Sequence, residues 1–197
     1  MIFRHTDLLE AGIDEVGRGC IAGPVMAAAA IVLDGFYHPR LNDSKKMTEK
    51  GRDEAFNYIT HSGLCVYGIG VVEAAEIDTI GIVPATMKAM HIAIKELELK
   101  LDKRVEFLLV DGNYFANSTD KKYECMVKGD GRFVPIAAAS VAAKVTRDRM
   151  MIEMSRAHNA YGWNRNKGYG TKEHIEAVRT NGYTEQHRKT FDFLNAE

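Results

Sequence analysis

The chain has 197 residues, 46% of them hydrophobic and 27% charged, with a formal net charge of −1. That length fits one domain, or one with a small appendage, and the composition excludes a disordered chain. Near-neutral charge excludes polyanion binding by bulk electrostatics, so such a ligand needs a local patch. Residues 144–189 offer one, with ten Lys or Arg against five Asp or Glu, a pattern that solvated helix faces also produce. Cys20, Cys65 and Cys125 are odd in number and lack any zinc-ligand spacing, which reads as reduced thiols in a cytosolic protein. The N-terminus meets acidic residues too early for a signal peptide, and no apolar run reaches the roughly 18 residues of a membrane span.

In chain order, residues 10–17 (EAGIDEVG) predict a short strand and residues 24–33 (PVMAAAAIVL) a longer one, small in its middle and suited to close packing. Residues 42–59 begin as a polar loop and become a helix near Thr48, with Ala55, Phe56 and Ile59 on one face. Residues 64–72 predict a third strand, and the three fit a meander. Val83, Met87, Met90, Ile94, Leu97 and Leu101 then form a helix stripe, with Pro84 in the first turn. Residues 105–110 predict a buried strand ending on Asp111. Residues 132–140 predict a fifth strand running into an alanine-rich helix that extends to about Arg156. A last helix is capped by Thr171 and closed by Gly182. Three strands followed by alternating strand and helix imply an α/β sheet of mixed direction, with a helical C-terminal part.

The acids carry the chemistry. Asp14 and Glu15 sit in the first strand, Asp111 at the end of the fourth, where open α/β sheets place ligands, and Asp130 in the glycine-flanked turn VKGDGR. Converged at one sheet edge they would carry about −4, untenable in a partly buried cluster without cations. Two hard divalent ions, Mg2+ or Mn2+, would neutralise it. Such a pair, roughly 4 Å apart, supports phosphodiester hydrolysis. Two readings stay open at this point. Adjacent strand residues face opposite ways, so Asp14 and Glu15 share a site only through a strand end, a bulge or an indirect reach. Each aspartate also suits a turn or a helix cap. Glycosidase-like chemistry needs only two carboxylates and leaves the others without a role.

Seven segments occur in order: DEVGRG, NDSKK (42–46), DGN (111–113), KGDGR (128–132), AASVAAKVTRD (138–148), NKGYGT (166–171) and HRKTF (187–191). Together they resemble bacterial ribonuclease HII, the type 2 ribonuclease H, over essentially the whole chain. The resemblance implies a ribonuclease H-like fold in a single domain spanning 1–197. This would be a mixed five-stranded sheet flanked by helices, with a helical substrate-binding part from about residue 158. It implies a metal-dependent endonuclease that cuts RNA in RNA–DNA hybrids and cuts 5′ of ribonucleotides embedded in duplex DNA. The products would be 3′-hydroxyl and 5′-phosphate ends, with roles in RNA primer removal and ribonucleotide excision repair.

By the same resemblance Asp14, Glu15, Asp111 and Asp130 are the catalytic metal ligands, holding two Mn2+ or Mg2+ ions. Gly17, Arg18 and Gly19 match the segment that meets the RNA–DNA junction and its 2′-hydroxyl, the group that tells RNA from DNA. Tyr169 matches a tyrosine that stacks on the next deoxyribose. Asn42, Ser44 and Lys45 match a substrate-contacting segment, and Lys144, Arg147, Lys167 and Arg188 are expected phosphate contacts. A cytoplasmic monomer without a membrane or an obligate protein partner is expected. Three positions depart from the family pattern: Cys20-Ile21 stands for Pro-Leu, Asn166 for His, and Thr190 for Ser. A 3′–5′ exonuclease would use similar acids but predicts no Gly-Arg-Gly loop, and a non-catalytic hybrid-binding domain has no need of four carboxylates. A dinucleotide site fails because GRG lacks the full fingerprint.

Overall fold

The computed structural model describes residues 1–3 and 5–194. Its centre is a five-stranded sheet built from β1 (Glu10–Val16), β2 (Val25–Val32), β3 (Cys65–Val72), β4 (Phe107–Asp111) and β5 (Lys122–Met126), in the order β3-β2-β1-β4-β5. The first three strands form an antiparallel meander, while β4 joins β1 and β5 joins β4 in parallel. The direction changes at β1, so the strand carrying the first two acids lies in the middle of the sheet.

Strand alternation sorts the side chains into two cores. Ala11 and Ile13 of β1, with Ala27 and Ala29 of β2, pack under α3 (Ile82–Leu101). Ala28 and Ala30 face α4 (Val134–Ala157) and α1 (Glu49–His61). Small residues set the distance between layers. A Cβ at Gly70 would lie 1.9 Å from the Ala89 carbonyl oxygen on α3, and one at Gly12 would lie 2.2 Å from the Ile136 nitrogen on α4. Neither helix can rest this close on a strand with larger side chains there.

α1 starts at Thr48, whose hydroxyl accepts the Gly51 N–H at 3.1 Å. Between β3 and α3 lies the short α2 (Ala74–Ile80). The predicted fifth strand at 132–140 is instead the first turns of α4. Pro135 suits that first turn, and the alanine run beyond it is buried on all sides, so no helical stripe is visible in the sequence. The true fifth strand, KYECM, is a half-exposed edge with little apolar character.

Past α4, a turn at Asn159–Tyr161, α5 (Trp163–Asn166) and α6 (Lys172–Asn181) surround a small cluster that includes Ile21, Ala22, Met151, Trp163 and Val178. Thr171 caps α6 by accepting the His174 N–H, and Gly182 closes it with φ 78°. Single antiparallel bridges tie Cys20 to Tyr169 and Ala22 to His187, so the C-terminal part is stitched to the loop that follows β1. Among the described residues, no helix is long and apolar enough to cross a membrane.

Candidate active site

In the parallel pairing of β1 with β4, Ile13 stands beside Val110, so the next residues, Asp14 and Asp111, are neighbours on the α4 side of the sheet. Asp130 arrives from the 3-10 turn Gly129–Gly131 that precedes α4. The Gly129 N–H donates to Asp111 Oδ1 at 2.7 Å and draws that turn onto the end of β4. One carboxylate oxygen from each of Asp14, Asp111 and Asp130 lies within 4.8 Å of the others. Asp14 is 4% exposed and Asp130 6%.

This crowding has an electrostatic signature. Burial first, then the charges of Glu15 and Asp111, push the Asp14 carboxyl well above the usual range, against hydrogen bonds from Ser140 and the Glu15 N–H. Asp130 is raised by burial, by Asp111 and by a hydrogen-bonded Asp43, with Lys45 opposing. Three hard oxygen donors that repel one another, two of them deeply buried, suit a divalent cation.

Glu15 is not in that trio. β1 runs in regular register through Val16, so alternation sets the Glu15 side chain apart from that of Asp14, yet Glu15 lines the same cleft and its charge helps raise the Asp14 carboxyl. Its carboxylate instead accepts Arg18 Nη1 at 3.1 Å.

A cleft of about 240 Å³ opens beside Asp14, bounded by the 16–19 loop, Lys45, Lys144 and Tyr169. Residues 17–20 form a turn closed by the Cys20 N–H on the Gly17 carbonyl at 3.3 Å, a bond that a proline at position 20 could not make. Gly17 has φ 90°, and a Cβ there would lie 2.3 Å from Arg147 Nε. Gly19 differs: a Cβ there meets no described atom within 4 Å. Tyr169 is 39% exposed, and Lys144 Nζ lies 5.8 Å from its ring centre while pairing with Asp148 at 2.9 Å.

The NDSKK segment is held by its own side chains. Asn42 Oδ1 accepts the Asp43 N–H at 2.8 Å, and Asp43 Oδ1 accepts the Lys45 N–H at 2.9 Å. Ser44 is buried, with its hydroxyl 2.9 Å from that of Ser140 on α4, which places Lys45 in the cleft. Lys167, in a left-handed turn with φ 52°, directs its Nζ to the Asn164 carbonyl. Asn166 closes that turn through Oδ1 on the Gly168 N–H at 2.8 Å, and Thr190 donates to Asp78 at 2.7 Å.

Two expected phosphate contacts need correction. Arg147 and Arg188 both have zero exposure. Arg147 donates to the carbonyls of Ala22, Pro24 and Lys167, and Arg188 to those of Arg18 and Gly23. Their donors are spent on the chain's own backbone, out of reach of a phosphate. Sequence reasoning missed Asp43 and Ser140, each beside a clustered aspartate. Asp43 was visible as the one acid in a lysine-rich loop, while Ser140, the polar break in an alanine run, gave only a faint signal. It also missed the buried His174–His187 pair, where His174 Nε2 lies 2.9 Å from Trp163 Nε1 and 3.1 Å from His187 Nε2.

The chain matches the family described as Ribonuclease HII over residues 11–194. It is 46% identical to ribonuclease HII of Parabacteroides distasonis across 98% of this chain and 94% of that one. It is 45% identical to that of Cytophaga hutchinsonii, across 97% and 93%. Among solved structures, ribonuclease H2 of Pyrococcus horikoshii aligns with a TM-score of 0.75 at 21% identity, covering 93% of each chain. Bst-RNase HIII, solved in complex with Mn2+, aligns at 0.70 and 21%, covering 94% of this chain and 67% of that one, and shares the fold. The acids at the β1–β4 edge, the glycine turn beside them and these full-length matches converge: the chain belongs to the ribonuclease HII family, metal-dependent endoribonucleases that act on RNA–DNA hybrids.

Proposed function

We propose that the chain cuts 5′ of single ribonucleotides in duplex DNA as well as within longer hybrids, leaving 3′-hydroxyl and 5′-phosphate ends, in primer removal and ribonucleotide excision repair. The observation that carries this reading is the packing of three carboxylate oxygens within 4.8 Å, two of the three acids deeply buried. Asp14, Asp111 and Asp130 would hold two ions, Mg2+ or Mn2+. Glu15, which lines the same cleft, would join them on leaving its ion pair with Arg18. The bound ions supply positive charge and Lewis acidity toward water and the scissile phosphodiester.

The remaining roles fall to the chain itself. The 17–19 turn meets the ribose through backbone that no side chain at position 19 obstructs. Tyr169 packs on the following deoxyribose, where a second hydroxyl would crowd its ring. Lys45 and Lys144 line the cleft and suit phosphate contacts, and Lys167 and Asn42 would contact substrate beyond it. Ser44 acts through Ser140 by setting the loop that carries Lys45. The whole chain works as one catalytic domain, with residues from about 158 serving substrate binding, as a cytoplasmic monomer.

The test is cleavage of duplex DNA with one internal ribonucleotide and blocked ends, run across several divalent ions with analysis of the product termini. One cut 5′ of the ribonucleotide, dependent on metal, is expected. Digestion only from free ends, or cleavage indifferent to chelator, would overturn the reading.

A further inference from the structure

Two buried arginines raise a physical question. Burying a guanidinium is costly unless all its donors are met, and replacing buried ions by apolar side chains of similar size is often neutral or stabilising. What an arginine offers in return is direction, through a planar fork of fixed geometry.

Arg188 uses its fork on one loop. Nε and Nη2 converge on the Gly23 carbonyl at 3.0 and 2.9 Å, and Nη1 reaches the Arg18 carbonyl at 3.0 Å. Arg147, reaching in from α4, holds the Ala22, Pro24 and Lys167 carbonyls at 3.0, 2.8 and 2.8 Å. Among the described residues no carboxylate bonds to either guanidinium. The backbone around Arg188 is itself fixed: its N–H donates to the Ile21 carbonyl at 2.9 Å, and its guanidinium lies 5.2 Å from the Phe191 ring centre. Burial lowers the Arg188 pKa to about 10, so it stays protonated at neutral pH.

We propose that Arg188 is a positioning residue for recognition of the ribonucleotide: by drawing the Arg18 carbonyl inward, it turns the amide N–H of Gly19 outward to the cleft, where it can donate to the ribose 2′-hydroxyl. In a trans peptide the C=O and the following N–H point in opposite directions, so fixing one fixes the other. Among the described residues the Gly19 N–H has no backbone acceptor, and Gly19 lines the cleft beside Asp14. The loop does not set this orientation alone. Among the described residues the only backbone bond across its turn is the 3.3 Å contact between the Cys20 N–H and the Gly17 carbonyl, and a turn closed this way allows the central Arg18–Gly19 peptide to flip. Arg188 removes that freedom from the far end of the chain. This inference rests on the reading of residues 17–19 as the contact to the ribonucleotide.

The experiment compares wild type, Arg188→Lys and Val178→Ala. Lysine keeps the charge but loses the fork. Val178 lies in the C-terminal cluster, so its truncation serves as a control for simple loosening of that part. Each protein is assayed in metal-free buffer for affinity to a duplex with one embedded ribonucleotide and to the same duplex with a deoxyribonucleotide in its place, with cleavage of the first, thermal unfolding and the metal concentration for half-activation measured alongside. Arg188→Lys is expected to lose about ten- to a hundredfold more affinity for the ribonucleotide duplex than for the all-DNA duplex, the range of one charge-assisted hydrogen bond, with metal activation unchanged. Val178→Ala should lower the melting temperature and leave the ratio of the two affinities at the wild-type value. Equal losses on both duplexes for Arg188→Lys, or a ratio shift of the same size in Val178→Ala, would overturn the proposal. Should Arg188→Lys not fold, Arg188→Gln, which keeps a donor for the Gly23 carbonyl, carries the same comparison. A wild type that fails to cut at the embedded ribonucleotide would instead sink the functional reading beneath it.

Discussion

The two glycines flanking Arg18 should respond in opposite ways to the same added methyl group. At Gly17 an alanine must adopt φ near 90°, and its Cβ would sit 2.3 Å from Nε and 2.9 Å from Cδ of the buried Arg147. Backbone strain of about 1–3 kcal/mol and overpacking of about 1–3 kcal/mol add to roughly 2–6 kcal/mol. At roughly 2–4 °C per kcal/mol for a chain of this size, the melting temperature should fall by about 4–24 °C. At Gly19 the methyl meets no described atom within 4 Å, and the backbone is outside the left-handed region. Gly19→Ala should therefore stabilise by about 0.4–1 kcal/mol through the unfolded chain, raising the melting temperature by roughly 1–4 °C. Its activity should move the other way. A methyl between backbone and ribose loses about one hydrogen bond, on the order of 1–3 kcal/mol, or roughly five- to 150-fold in kcat/KM on an embedded ribonucleotide. Differential scanning fluorimetry and initial rates below KM measure both. Wild-type kcat/KM in Gly19→Ala would refute the contact, and a melting temperature that fell as in Gly17→Ala would refute the claim that the fold leaves position 19 empty.

Asp14→Asn should lower cleavage by orders of magnitude yet raise the melting temperature of metal-free protein, because it removes a buried charge that opposes Glu15 and Asp111; near-wild-type turnover at saturating metal would exclude Asp14 as a ligand. The same variant should show a smaller rise in melting temperature on adding Mn2+ than wild type does. Tyr169→Ala should weaken cleavage at a single ribonucleotide by about ten- to a hundredfold more than within a long hybrid, while Tyr169→Phe keeps most of the preference; equal losses on both substrates would remove the stacking role. His187 makes a pH prediction. Burial and the nearby His174 lower its pKa from 6.5 to about 4, so between those values the unfolded chain binds more protons and stability falls as pH drops. At pH 5 that loss amounts to about 2 kcal/mol, and it should be absent from His187→Asn, so that the wild-type minus His187→Asn difference carries it if His187 is its source.

Much of this architecture is legible in the sequence, and what is not has physical causes. β1, β2 and β3 announce themselves because each is apolar and bounded by turn residues. α3 does so because one stripe faces the sheet. α4 misleads because the sheet, α1 and the turn before it bury its first half from every side, which erases the period that distinguishes helix from strand. Asp14, Asp111 and Asp130 can be picked out as strand-end and turn acids, but their convergence depends on the parallel register of β1 with β4, set by pairing across about a hundred residues. Glu15 is the instructive case: the regular pleat keeps its carboxylate out of the aspartate trio and paired with Arg18, yet it still lines the same cleft. Arg147 and Arg188 read as surface charge because nothing local marks a lysine or arginine as buried; only the tertiary fold brings carbonyls to them.

The bond from Arg188 to the Arg18 carbonyl closes a separation of 170 residues. The clustered aspartates, by contrast, all lie at or before position 130. During synthesis, then, the clustered aspartates leave the ribosome well ahead of the residue that bonds the loop beside them. A chain halted before Arg188 would carry the aspartates without that bond. On the role proposed for Arg188, such a product is better judged by which substrates it still distinguishes than by whether it still binds metal.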